Sequence, residues 1–472
     1  MSRSPNLLQG TDYAIAMSPV VDTVNEPTIE GRAIRAQWIV YTSAAVAMLE
    51  AFQYGWSSHQ ISLHKFNNTD DCNARPVVEG TCIMFPGHTK TTWTLLSNAW
   101  IVGGMVGSFL SGIPSNKYGR RMTHRFNTVV MVLASISTPH NRHALGTNTH
   151  LAATLGILGV ATTFWYWNTT SGIRWIAAIP IILAAGYLLC SYFVMVESPV
   201  WLVAKGREQE AEREIARLYG KENVEAMMSW IQTREQRTKL PSTISGESVQ
   251  MEAERPWTIL AKPKFRKQLV VTLGLTCINQ LVGINAVFWY SSSILTGAGI
   301  EDARLGVVII DILPVVQVPI AAYATQFLPK RPMLRWGIAI MAVCCIGMTF
   351  SMVYSVGWLS VTMLGIYVVG YDVSIGPLLW PMIAELFPDS ARGGAVGICV
   401  FLKWTCALII GIAFPYIQDA ITDYSFTPFL ATTFLSIIFI YFMVPETSDF
   451  TIAEIQNGFR GDENLHSVKR QQ

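Results

Sequence analysis

Charge is what this chain has least of. Only 14% of its 472 residues are charged, and 34 Lys plus Arg nearly balance 32 Asp plus Glu. That leaves no basic surface for nucleic acid, and no nucleic-acid partner is expected. Cysteine is also sparse, at eight residues. None falls at metal-ligand spacing, and the chain has neither a nucleophile elbow nor a phosphate-binding glycine loop, so no enzymatic chemistry, metal or cofactor is expected. Polar residues are too few to clothe a soluble fold, because 51% of the chain is hydrophobic.

Long apolar runs take their place. Segments of about 20 residues, enough to cross a bilayer, recur near 37-58, 92-114, 145-167, 175-196, 268-290, 305-328, 334-354, 359-384, 397-418 and 425-444. The expected fold class is all-α integral membrane, with about ten spans plus one short incomplete hydrophobic segment near 126-138 that does not cross the bilayer fully.

Charges between the spans orient them. Lys117, Arg120, Arg121 and Arg125 follow the second run, a charged stretch runs from Lys205 to Lys267, and Lys330, Arg331 and Arg335 follow a later span. The positive-inside rule makes these loops cytoplasmic. The opposite loops carry glycosylation sequons at Asn67 and Asn168, which must face outside to be used. Cys72 and Cys82 share the first outer loop, where either a disulfide or two free thiols are possible. The organisation expected is a cytoplasmic N-terminal tail (1-35), an N-terminal helix bundle (36-198), a charged cytoplasmic linker (199-266), a C-terminal bundle (267-445) and a cytoplasmic C-terminal tail (446-472). The polar first 30 residues read as a tail and not a cleavable signal, and the plasma membrane is the default location.

The string Asn279-Gln280-Leu281-Val282-Gly283-Ile284-Asn285-Ala286-Val287-Phe288-Trp289-Tyr290 puts amides and aromatic rings into one apolar run. On a continuous helix Gln280 and Asn285 stand about 140° apart, so both border one broad inward face. Carboxamides donate and accept at once, which suits a ligand rich in hydroxyls, and aromatic faces suit a sugar ring. The competing reading is that the amides bridge neighbouring helices.

Several further strings carry a family resemblance. The turn ending Gly119-Arg120-Arg121, then Glu197-Ser198-Pro199, Gln280-Leu281-Val282-Gly283-Ile284-Asn285, Gly376-Pro377-Leu378-Leu379-Trp380, Glu385-Leu386-Phe387-Pro388 with Arg392, and Pro445-Glu446-Thr447 follow one another in order. Together they resemble the sugar porters of the major facilitator superfamily, close to the facilitative glucose transporters. The resemblance implies a two-bundle major facilitator architecture that rocks about a central sugar site. Matching positions for that site are Gln280, Asn285, Trp380 and Trp404, with His150 aligned where a Gln is usual and Asp311 where an Asn is usual. Arg120, Arg121, Glu197, Arg331, Glu385 and Arg392 match a cytoplasmic charge network that locks one conformation.

Departures from the pattern matter as much. Lys403 stands where an Asn would be expected, with Asp311 a possible partner; Asp372 stands where a Glu is usual. Ser57 occupies the place where proton-coupled relatives carry an Asp, which favours uniport over symport, although Asp311 and His150 keep symport open. After Arg125 a short apolar run, Phe126 to Ser137, leads straight into Thr138-Pro139-His140-Asn141-Arg142-His143-Ala144-Leu145-Gly146, which resembles the element following the family's fourth helix. Most of the third helix and all of the fourth are therefore expected to be missing. Hexose uniport is the activity expected, against proton-coupled symport or a non-transporting sensor or relic.

Overall fold

The computed structural model describes residues 37–59, 90–110, 146–163, 165–167, 170–239, 256–300, 302–325 and 327–448, together with isolated positions between and beyond them. Cys72, Cys82, Asn67, Asn168, Arg120 and the segment 126–138 lie outside the described residues, and His150 is described in its backbone alone.

The described chain is helical apart from a two-residue antiparallel ladder between Thr28–Ile29 and Arg32–Ala33. Helices α1 (Trp38–His59), α2 (Lys90–Leu110), α3 (Gly146–Thr163) and α4 (Thr170–Phe193) form the first group. The charged stretch folds as α5 (Pro199–Ala204), α6 (Glu208–Tyr219) and α7 (Val224–Lys239), packed on Trp201, Leu202, Ile215 and Ile231. The second group is α8 (Pro256–Ala261), α9 (Arg266–Leu281), α10 (Ile284–Gly297), α11 (Ala303–Ala324), α12 (Lys330–Val353), α13 (Gly357–Val373), α14 (Ile375–Leu386), α15 (Asp389–Ile421) and α16 (Thr427–Met443). Every segment expected to span holds a helix. Among the described residues six helical stretches, such as 330–353 and 391–424, are long and apolar enough to cross a membrane. Their outer faces carry Trp175, Ile182 and Leu189 on α4 and Trp336, Val343 and Phe350 on α12, all exposed as a lipid-facing surface requires.

Small residues set the closest helix contacts. A Cβ on Gly55 of α1 would lie 1.8 Å from the Ala153 carbonyl oxygen of α3, and one on Gly156 would lie 2.1 Å from the Phe52 oxygen. The backbones touch, as they do in membrane helices where apolar burial gives no extra pull.

A repeated knot ties the last helix of each group to a basic turn. The Arg121 backbone N–H donates to the Glu197 carboxylate (3.1 Å) and its guanidinium to the Tyr192 carbonyl (3.1 Å). The Arg331 N–H donates to Glu446 (3.2 Å) and its guanidinium to the Tyr441 carbonyl. In both cases the tyrosine precedes the glutamate by five residues, so the same device is built twice. Gly119, at φ +88°, makes room for the first, since a Cβ there would lie 2.5 Å from Glu197 Oε2.

Candidate functional site

The run 268-290, expected to be one helix, is two. Gly283 takes a left-handed conformation (φ +99°) and ends α9 before α10 begins, so the 140° argument for Gln280 and Asn285 does not hold. The reason is steric: a Cβ at Gly283 would lie 2.6 Å from the Phe429 ring, leaving room only for glycine as the chain turns. The run 359-384 is also interrupted, at Ser374 between α13 and α14.

The two interruptions complete each other. Breaking a helix frees carbonyls that hydrocarbon cannot satisfy. Tyr367 of α13 donates its hydroxyl to the Val282 carbonyl at the first break, and Asn279 of α9 donates to the Ile375 carbonyl (3.3 Å) beside the second. Thr432 covers the Leu281 carbonyl (3.0 Å) and Ser374 the Gly370 carbonyl (2.5 Å).

Across this junction runs a chain of amides with a fixed direction. The Ile375 carbonyl can only accept, so Asn279 must present its NH2 there and to Tyr371 Oη (2.8 Å). Asn279 Oδ1 therefore accepts from Gln280 Nε2 (2.5 Å), and Gln280 Oε1 accepts from Asn285 Nδ2. The chain ends at Asn285, which is half-buried. Nothing among the described residues donates to Asn285 Oδ1, so it is left to accept a hydroxyl. The amides thus bridge two broken helices, as the competing reading of the sequence expects, and leave one acceptor over. Asn279 was passed over as a site residue because nothing in the string separates it from its neighbours; only the second break reveals its part.

The remaining expected site residues take different places. Lys403 of α15 holds its ammonium 5.5 Å from the centre of the Trp380 ring on α14. Asp311, considered as its partner, lies instead with Oδ2 3.2 Å from His59 Nε2 at the end of α1, both side chains buried. The correction follows from packing: α11 lies against α3, which pairs with α1, and this brings His59 at the end of α1 to Asp311. Trp404 is buried with Ile101, Val400 and Ala407 in the seam where α2 meets α15, with Tyr54, Trp289 and Trp380 around it. In the same seam Asn98 Nδ2 donates to the Gly411 carbonyl (3.2 Å), and Tyr416 Oη donates to Thr91 Oγ1 (3.3 Å). Glu385 binds Lys330, and Arg392 donates to the Ala384 carbonyl (2.8 Å).

Comparisons with known proteins agree with this fold. The family model described as "Sugar (and other) transporter" matches residues 34–138 and 125–459. The chain is 28% identical over 485 aligned positions to the solute carrier family 2, facilitated glucose transporter member 4 of Bos taurus, covering 89% of this chain and 90% of that one. It is 29% identical over 346 positions to the glucose transporter GlcP of Staphylococcus epidermidis, covering 71% and 73% respectively. In fold it is similar to the inward open conformation of the xylose transporter XylE from E. coli, with a TM-score of 0.70, 18% identity and coverage of 89% of this chain and 99% of that one.

Proposed function

The chain belongs to the sugar transporter family, and on that footing we propose that it carries a hexose-sized sugar across a membrane by facilitative uniport, through alternating access about the junction of α9/α10 with α13/α14. The observation that carries this reading is the directed amide chain ending in the Asn285 acceptor, with Trp380 of α14 offering an aromatic face. A sugar offers hydroxyl donors and an apolar ring face, and this site offers their complements. Uniport is supported by Ser57, which stands where the proton-coupled transporters that this family resembles hold an acid.

The same reading puts both termini and the charged linker in the cytoplasm and the protein in the plasma membrane. Arg121, Glu197, Lys330, Glu385, Arg392 and Glu446 then face inward, where they hold the cytoplasmic ends of the helices in one conformation. It also bears on the expected loss of a helix hairpin after Arg125. Arg125 and Arg121 bond the last turn of α4, at Ser191 (3.0 Å) and Tyr192, while residues 164–169 join the first turn of α4 to the end of α3. An up-and-down order therefore starts α3 on the side where Arg125 lies, as the loss of a whole helix hairpin from the family pattern requires. The two matches to the family model overlap at residues 125–138.

The test is uptake of radiolabelled glucose into liposomes carrying the purified full chain, with and without an imposed pH gradient. Saturable uptake indifferent to the gradient is expected. Uptake that follows the gradient would replace uniport by symport, and none from monodisperse protein would remove transport.

A further inference from the structure

Resting on the sugar-site reading, we propose that the substrate is an anionic sugar, a hexuronate or similar polyhydroxy acid, whose carboxylate is held by Lys403. The ammonium of Lys403 has one described contact, the Trp380 ring at 5.5 Å. Among the described residues no carboxylate lies within ion-pair distance of it: Asp311 is against His59 and Glu385 is bound to Lys330. A cation at membrane depth without a counter-ion is costly, and a ring face returns only part of that cost. A bound carboxylate would supply the rest.

The helix breaks point the same way. Their carbonyl-bearing ends are covered, with Val282, Leu281 and Gly370 each accepting a hydroxyl. Their amide-bearing ends have no side-chain cap among the described residues: Gly283 at the start of α10 has no side chain to give one, and the Ser374 hydroxyl at the start of α14 is donated to the Gly370 carbonyl. What the junction leaves open is its electropositive side, the side of a helix that attracts anions. Lys403 adds one full positive charge, matching the single negative charge of a carboxylate. Asn285 Oδ1 accepts a ring hydroxyl, and Trp380 covers the ring. The hydroxyl, ring and carboxylate partners of a sugar acid are all present.

The full chain would be assayed for equilibrium binding of radiolabelled D-glucuronate and D-glucose, and in liposomes for glucuronate uptake under a clamped membrane potential. Glucuronate should bind at least tenfold tighter than glucose, and its uptake should accelerate when the interior is positive. Lys403→Met should lower the glucuronate-to-glucose binding ratio at least tenfold, and Lys403→Arg should restore it. Glucose binding without competition from glucuronate, or an unchanged ratio in Lys403→Met, overturns the anionic substrate and leaves the sugar site standing. If folded protein binds neither, both readings fall together.

Discussion

Asn279 does more than any other single residue to fix the polarity of the site, because one of its acceptors is a backbone carbonyl that cannot act as donor. The sequence exposes the amides at 279, 280 and 285 but not their direction, since a carboxamide reads the same either way round. Asn279→Asp replaces the NH2 with an oxygen facing the Ile375 carbonyl and Tyr371. It should destabilise the protein by about 1–3 kcal/mol, the cost of a buried group left unpaired. A lowered thermal midpoint in detergent, with weakened sugar binding, is the expected result; an unchanged midpoint would mean the direction is wrong. His59 illustrates the opposite limit of sequence reading. It closes an apolar run with no local signal, and its partner is far along the chain.

At the scale of elements, apolar length was legible and continuity was not. All of the expected spans hold helices, because a stretch of about 20 apolar residues has few other ways to satisfy its backbone in lipid. The breaks at Gly283 and Ser374 escaped because one glycine or serine in a helical run is ordinary, and only the Phe429 ring against Gly283 makes the turn obligatory. Basic turns were visible as charge, yet their pairing with Glu197 and Glu446 depends on how the last helix of each group returns. The contact between α1 and α11 can be measured directly. His59→Ala and Asp311→Asn, made singly and together, should show a coupling of about 0.5–3 kcal/mol in unfolding free energy. Strict additivity would mean that the two side chains do not act on each other.

Over the whole molecule, the two helix groups meet along α2 with α15 and along α3 with α11, and Gly411 is a point of close approach in the first seam. A Cβ there would lie 2.0 Å from Asn98 Oδ1, so cysteine at both positions removes the obstruction and leaves two thiols facing. Asn98→Cys with Gly411→Cys should cross-link under a membrane-permeant oxidant and stop uptake, with both effects reversed by reductant. Continued uptake by cross-linked protein would show that the seam need not open. The family, the spans and their approximate order could be read from the chain, but the seam could not, since it joins residues whose only sequence signal is that they are apolar or small.

The mutual covering of the two breaks also bears on how the protein is made. Helices α9, α10, α13 and α14 have 16, 14, 17 and 12 residues, each shorter than the roughly 20 needed to cross alone. The ribosome delivers α9 and α10 long before α13. Until Tyr367 arrives, the Val282 carbonyl has no partner from α13, and Asn279 has no Ile375 to hold. The first interrupted helix therefore enters the bilayer unfinished, and synthesis beyond residue 375 is what completes it. Chains arrested before that point should be the ones that cellular quality control removes.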